Sequence, residues 1–484
     1  MGRLFGKTKS KYMNLPVAVR ASLWFTVCNF FQKGVSFITV PIFTRLLSTE
    51  EYGVYSVYLS WQSIIIIFAT LNLSSQVFNN GMTKYDNDRF GYTSAMLGLS
   101  NLCTLVFFSI YFILKEAINK ALDVSTPMMI IMFVGFFFSA ATSLWTVQQR
   151  YLFKYHALCI VTIMSTVGTA VVGVLLVINN PTGYSRVLAD VLVASLVGIC
   201  VYISIIKKNN KLFNVGYWKY ALAIDLPLLA HYLSMTVLGS SDRIMINDIC
   251  GEGHTALYSV PYNASMIMQI IITSINSSFI PWTYQKCKQR EWTKLKDTST
   301  ILIAVVALIS LVPSLFAPEL VWILGSEKYA ASVWVVPPVS CSVFFIFLYS
   351  LFSNIEIYYE KSKNIMIASM GAAIANILLN YIFINLFGYI AAAYTTLACY
   401  ILLSLVHYVF MKKVLKKEDE KEVPYNIRLI LLISFAVIFN SICVTLLYNQ
   451  PWIIRYLIIM VVVLIIFIKR ALIINKINEL KISR

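Results

Sequence analysis

Few residues in this chain could do chemistry, and most of those lie where the surroundings are apolar. Arg20 and Lys33 fall inside the apolar run Val17 to Val40, and Arg45 follows Pro41 at its far end. Arg243 closes another run, and Asp190, Asp225, His231 and Asp242 lie inside or at the ends of others. An ionisable group in hydrocarbon costs about 2.5–3.5 kcal/mol on insertion scales, so each of these invites a reason. Fixed Arg and Lys in a low-dielectric cavity favour an anion, and phosphate or pyrophosphate groups suit them.

The individual placements differ. Arg20 sits one turn into its run, close enough to the interface to snorkel. Lys33 is deeper and is expected to face a water-filled cavity. The two are 13 residues apart, about 140° around an ideal helix, and share a face only if the helix bends. His231 and Asp242 are 11 residues apart, three turns, so with Ser234 they mark one face. That face reads as a cavity lining open to proton coupling, or as a helix–helix hydrogen bond. Asp225, two residues before Pro227, is expected at a helix start, where a carboxylate caps amides, with ion coupling as its second role. Asp190 stands as an orphan acid, a cation site or a group reaching the outer interface.

One polar stripe is longer. Tyr258, Tyr262, Ser265, Gln269 and Asn276 follow at steps of 4, 3, 4 and 7 and project within about 40° of one line on a helix. Such a stripe cannot face lipid; it faces a cavity or another helix. Ser369, Asn376 and Asn380 make a shorter one that reads as packing glue. The nine Cys are scattered without a C-x-x-C, and the four His are dispersed. Neither a metal site nor a cofactor is expected from that pattern, and no catalytic constellation stands out.

The elements that must position these residues are membrane helices. Of the 484 residues, 59% are apolar and 13% charged. A soluble domain carries about 25% charged residues. Apolar runs of the length that crosses a bilayer recur along the chain. These features exclude a soluble enzyme, a nucleic-acid-binding protein and a secreted disulfide scaffold. Spans are expected near 17–40, 55–78, 92–114, 127–147, 157–178, 187–206, 221–241, 256–280, 299–317, 330–353, 364–386, 388–410, 427–448 and 451–468. Pro337-Pro338 should break or kink the tenth. The first run has no small-residue cleavage site, so it reads as a retained helix. With fourteen spans, 30 Lys and Arg fall on the side shared by both termini and 7 on the other. That bias makes the termini cytoplasmic and explains the net charge of +17 without nucleic acid.

The chain also repeats itself. Val54-Tyr55-Ser56-Val57 recurs as Leu257-Tyr258-Ser259-Val260, and Gly183-Tyr184 as Gly388-Tyr389, at offsets of 203 and 205. Six spans per copy keep both copies in the same orientation. The expected organisation is all-α: an N-lobe at 1–206, a C-lobe at 216–411, two appended helices at 426–470 and a cytoplasmic tail at 471–484. A substrate path is expected between the lobes.

Three segments resemble a known family. Pro41-Ile42-Phe43-Thr44-Arg45-Leu46-Leu47-Ser48-Thr49-Glu50-Glu51-Tyr52-Gly53-Val54-Tyr55 resembles the P-x-x-x-R-L-L-x-x-E-E-Y-G-x-Y stretch of bacterial polysaccharide flippases. Asp242-Arg243-Ile244-Met245-Ile246 followed by Tyr258 is similar to the family's D-R-x-x-I … Y. Asn376, Asn380 and Gly388 to Ala393 resemble its N-x-x-x-N … G-x-x-G-A-A segment, with Ala391 in place of the second Gly. These flippases belong to the multidrug/oligosaccharidyl-lipid/polysaccharide exporter superfamily. The resemblance, over about residues 15–410, implies two six-helix lobes around a basic central cavity and alternating access. It implies an undecaprenyl-pyrophosphate-linked oligosaccharide as cargo, in the bacterial cytoplasmic membrane, with polysaccharide polymerase machinery as a partner. Arg20, Lys33, Arg45 and Arg243 would meet the pyrophosphate. H+ or Na+ coupling would fall to His231, Asp242, Asp225 or Asp190. Four other readings compete with this one. They are a drug/cation antiporter of the same superfamily, a lipid II flippase, a major-facilitator transporter suggested by Asp88-Arg89-Phe90-Gly91, and a membrane polysaccharide polymerase or glycosyltransferase.

Overall fold

The computed structural model describes residues 17–420, 422–457, 459 and 460, and in them the regular structure is helical. In the first half the helices are α1 (Val17–Leu46), α2 (Thr49–Ala69), the short α3 (Gln76–Lys84), α4 (Arg89–Ile113) and the short α5 (Lys115–Leu122). They continue with α6 (Thr126–Tyr151), α7 (Tyr155–Asn179), α8 (Gly183–Lys208) and α9 (Val215–Cys250). In the second half they are α10 (Glu252–Gln289), α11 (Trp292–Leu315), the short α12 (Ala317–Gly325), α13 (Val336–Tyr358), α14 (Ser362–Phe387), α15 (Ala391–Lys417) and α16 (Ile427–Leu447). Among the described residues, twelve helical segments are long and apolar enough to cross a membrane. The 30-residue α1, which carries Arg20, Lys33 and Arg45, is additional to them. The expected last span, 451–468, and the tail at 471–484 lie mostly or wholly outside the described residues.

Local chemistry sets the helix ends. Ser48 Oγ accepts from Glu51 N (3.2 Å) and opens α2, with Glu50 and Glu51 in its first turn. Thr182 caps α8 and Asn426 caps α16 in the same manner. Pro337-Pro338 does not kink a helix interior. A 3-10 segment, Glu327–Val335, precedes α13, and the two prolines fill the first turn of α13, where a missing N–H costs nothing. Asp225 departs from expectation in the opposite way. It lies inside α9, which starts ten residues earlier and runs on through Pro227, so it caps no helix start.

Internal contacts divide the chain into two units, Met1–Asn247 and Asp248–Arg484. Helix α9 counts with the first because it packs there at both ends. Trp218 Nε1 donates to Ala95 O (2.8 Å), Ser240 Oγ meets Ser63 Oγ (3.1 Å), and Asn247 Nδ2 donates to Asp123 Oδ2 (3.1 Å).

In the first unit the connections sort onto two ends, as alternating spans require. At one end Asp88 gathers Asn209, Lys211 and Tyr217. At the other, Gly183 N donates to Glu51 Oε2 (2.6 Å) where α2 and α8 both begin. The second unit has a contact of a different kind at the corresponding place. His254, near the start of α10, has its ring 5.2 Å from Tyr389, just ahead of α15. Gly388 there has φ 74°, a backbone region that favours glycine. The opposite end of the second unit gathers around Glu420, which holds Arg290 Nε (3.2 Å) and Trp292 Nε1 (3.2 Å).

Burial runs as it does in a bilayer protein. On α7, Ile160, Met164, Val167, Val171, Leu175 and Ile178 are exposed at helical spacing, an apolar stripe that only lipid can cover. Helices approach closely through small residues. A Cβ on Gly198 of α8 would sit 2.5 Å from Phe138 O of α6. Helix α13, by contrast, is buried along almost all of its length.

Candidate functional site

The first unit buries a cluster of charged and phenolic side chains at the end where α2 and α8 begin. Arg186, in the first turn of α8, is 7% exposed. Its guanidinium pairs with Asp190 one turn on, and lies 4.2 Å from the Phe43 ring and 5.2 Å from the Tyr55 ring. Tyr55 OH donates to the other Asp190 oxygen (2.9 Å). Tyr52, one turn before Tyr55, is buried and within electrostatic reach of both Arg186 and Arg243. So α1, α2, α8 and α9 together place two guanidiniums, one carboxylate and a phenol-rich wall at this end. Such a group can bind an anion through the guanidiniums and orient it with hydroxyls.

The expected residues fall out as follows. Arg243 joins this cluster. Arg45 is exposed at the same end of α1, with Nη1 donating to Pro41 O (2.8 Å). Asp190 is no orphan, since Arg186 and Tyr55 both hold it. Lys33 is exposed midway along α1, and Arg20 is half-buried near the start of that helix, well away from the cluster. On α9, Asp242 is fully buried and His231 half-buried. Asp225 is 1% exposed, and neither carboxylate oxygen receives a hydrogen bond; Ser75 stands beside it short of bonding geometry.

In the second unit the long polar stripe of α10 is, at two of its points, a seam with α13. Ser265 Oγ donates to Pro261 O (2.9 Å) and reaches Val336 O (3.4 Å), while Asn276 Oδ1 accepts from Asn354 Nδ2 (3.1 Å). Tyr258 and Tyr262 are buried with ring centroids 5.5 Å apart, and Gln269 is half-buried. Asn376 and Asn380 of α14 are fully buried against Thr395 and Thr396 of α15.

Two groups escaped the sequence reading. Arg186 fell one residue outside a span drawn from 187, so it counted as a loop cation. Glu356 fell past a span drawn to 353, yet it meets His407 of α15 at 2.7 Å in the interior. An ionisable residue within a turn of a span end was the available signal. Among the described residues, no three His, Cys, Asp or Glu converge as metal ligands. Outside the spans, Lys286 and Lys294 hold the Glu291 carboxyl below the usual carboxylate range.

With this geometry in hand, the comparisons with known proteins decide the family. A family model described as "Polysaccharide biosynthesis protein" matches residues 18–286, more than half of the chain. The chain belongs to the polysaccharide biosynthesis protein family. A second model, MatE, matches residues 227–382. A protein of the Lsg locus of Haemophilus influenzae is 26% identical over 372 residues, 71% of this chain and 85% of that one. An uncharacterised membrane protein of the same organism is 24% identical over 363 residues, 70% and 83% of the two chains. Among solved structures, the lipid II flippase MurJ in an inward closed conformation aligns with TM-score 0.73 and 14% identity, over 93% of this chain and 100% of that one. An inward-facing multidrug-resistance transporter of the MATE family aligns with TM-score 0.61 and 11% identity, over 83% and 100%.

The transporter is therefore a multi-pass membrane protein of the multidrug/oligosaccharidyl-lipid/polysaccharide exporter superfamily, with that superfamily's fold. The polymerase and glycosyltransferase alternatives fall with this assignment, since the family and the fold are those of transporters and flippases.

Proposed function

We propose that the transporter flips undecaprenyl-pyrophosphate-linked oligosaccharide repeat units across the bacterial cytoplasmic membrane for surface polysaccharide assembly. The observation that carries this reading is the polysaccharide biosynthesis match over residues 18–286, which spans the whole basic cluster of the first unit. Guanidinium groups against phenol rings are the chemistry a pyrophosphate and its first sugar would call for. Arg45 and Arg243 stand at that cluster and are assigned to the pyrophosphate there, while Arg20 and Lys33, about 37 and 18 Å back along α1, are assigned to it at earlier points of its crossing. Tyr258, Tyr262, Gln269 and Asn276 stay candidates for substrate binding by the second unit, open to cargo only in a state that parts the α10 seam. Alternating access is supported by related folds recorded in inward-facing and outward-facing conformations. The 30 to 7 split of basic residues supports cytoplasmic termini. Coupling to H+ or Na+ is part of the proposal, with His231, Asp242, Asp225 and Asp190 as first-unit candidates. A surface polysaccharide polymerase would receive the product.

A cation-coupled drug antiporter is the second reading, favoured by the MatE match at 227–382. One experiment separates them. In a strain lacking the gene, lipid-linked oligosaccharides are labelled with a membrane-impermeant sugar reagent on intact spheroplasts. A flippase predicts unlabelled, cytoplasmic-leaflet cargo and loss of a surface polysaccharide, restored by the wild-type chain but not by Lys33→Ala or Arg243→Ala at equal protein level. No accumulation, with altered drug sensitivity instead, would favour the antiporter. Full restoration by both alanine variants would remove the pyrophosphate roles.

A further inference from the structure

Glu356 and His407 are two of the most deeply buried ionisable groups in the second unit, at 0% and 1% exposure. They come from α13 and α15 and touch each other, Oε1 to Nδ1 at 2.7 Å. The second carboxyl oxygen, Oε2, is buried without a hydrogen bond, although Asn364 of α14 stands beside the group. The imidazole is stacked by Tyr349 (ring centroids 5.7 Å), which is stacked in turn by Tyr400 (6.4 Å). The pair lies two residues before the end of α13, at the end of the unit where Arg290, Trp292 and Glu420 gather.

This arrangement holds a variable proton. Neutral imidazole donating Nδ1–H to a carboxylate leaves the pair at net charge −1. One more proton, on Glu356 Oε2, the oxygen that no hydrogen bond holds, brings it to zero. A net charge sealed in the interior is costly, whereas a neutral hydrogen-bonded pair is not, so occupancy changes how well α13 and α15 fit together. Other titratable groups packed around this end are Tyr284 and Cys287 of α10, Tyr358 and Tyr359 at the end of α13, and Tyr425 ahead of α16, whose hydroxyl donates to Leu351 O (2.9 Å). Of the cations near this end, Arg290 is tied to Glu420, Lys361 to Glu418 and Lys286 to Glu291. Helix α13 is packed on all sides, so a shift in its seat on α15 moves neighbours with it.

We propose that Glu356 and His407 form a proton-binding site whose occupancy couples proton movement to transport; the coupling half rests on the flippase reading above. Binding forms one O–H bond on Glu356 Oε2 as hydronium gives up one of its own and leaves as water, release reverses it, and no other bond changes.

The test uses the full-length chain in lipid vesicles. Glu356→Gln keeps the size and an acceptor for Nδ1–H but takes no proton. Infrared difference spectra between two pH values should show the carbonyl band of a protonated carboxylic acid, lost in Glu356→Gln and displaced in His407→Gln. The same band unchanged in folded Glu356→Gln overturns the site. If that variant does not accumulate, His407→Gln decides: a displaced band supports the site and an unmoved one overturns it. In the spheroplast assay, clearance of cytoplasmic-leaflet cargo by the wild type should collapse with a protonophore. Clearance by Glu356→Gln should not respond to an imposed pH gradient. Wild-type clearance that ignores the gradient overturns the coupling and leaves the flippase standing. No clearance by the wild type refutes the flippase reading itself, while the infrared result still reports on the proton site.

Discussion

Replacing Arg186 with Met should be among the most damaging single changes in the first unit. The substitution keeps length and volume but leaves the Asp190 carboxylate with only the Tyr55 hydroxyl. Breaking a buried ion pair by deleting one partner costs about 3–5 kcal/mol. The Asp190 side chain is 24% exposed, which places this site at the lower end, about 3 kcal/mol. Loss of the guanidinium from the Phe43 ring at 4.2 Å adds about 0.5–1 kcal/mol. Asp190→Asn should cost less, because Arg186 keeps both ring faces. The double variant removes the stranded charge, so it should be more stable than the two single losses added together, by about 2 kcal/mol, within the span seen for directly coupled residues. Unfolding curves of the purified protein in mixed detergent and denaturing detergent would measure all four corners of the cycle. Additivity within about 0.5 kcal/mol, or a single-variant loss no larger than that, would refute the pairing.

Three further outcomes are expected. Gly183→Ala should destabilise by about 1–3 kcal/mol, because its Cβ would sit 2.5 Å from Glu51 O, a backbone atom that cannot swing aside. Gly371→Ala, where nothing lies within 4 Å, should be neutral or gain about 0.5–1 kcal/mol on the same curves, and equal effects at both positions would contradict the close approach of α2 and α8. Lys286 and Lys294 lower the Glu291 carboxyl, so what this clasp contributes is present above the ordinary carboxylate range and is lost as pH falls through the lowered value. Protection of the amides between the ends of α10 and α11, corrected for the intrinsic slowing of exchange in acid, should therefore fall on acidification, and a pH profile of protection in Glu291→Gln unchanged from that of the wild type would sink that assignment.

How much of this was legible before folding depends on the range of the physics involved. Span length, helical state and alternation follow from local rules, since hydrocarbon accepts only backbones that satisfy themselves and a helix needs a set length to cross it. The basic bias follows from counting alone. The repeated motifs were also readable, and a contact joins the helix starts near each copy, Glu51 with Gly183 and His254 with Tyr389. Proline placement was half readable: residue type announced a break at Pro337-Pro338, but only the preceding 3-10 segment shows it to be a helix start.

Partner choice was not readable. Asp190 looked orphaned because Arg186 counted as a loop residue and Tyr55 lies 135 positions away in the chain. Glu356 and His407 are 51 positions apart on separate helices, and no periodicity links them. Asp225 read as a cap because a carboxylate near a proline often is one, yet α9 had already begun at Val215. Hydropathy and spacing describe one helix at a time, so the sequence by itself determined a multi-pass helical bundle with a basic side. Which polar groups meet in its interior is a property of helix–helix packing, and only the tertiary structure decided that Arg186 holds Asp190 and that His407 meets Glu356.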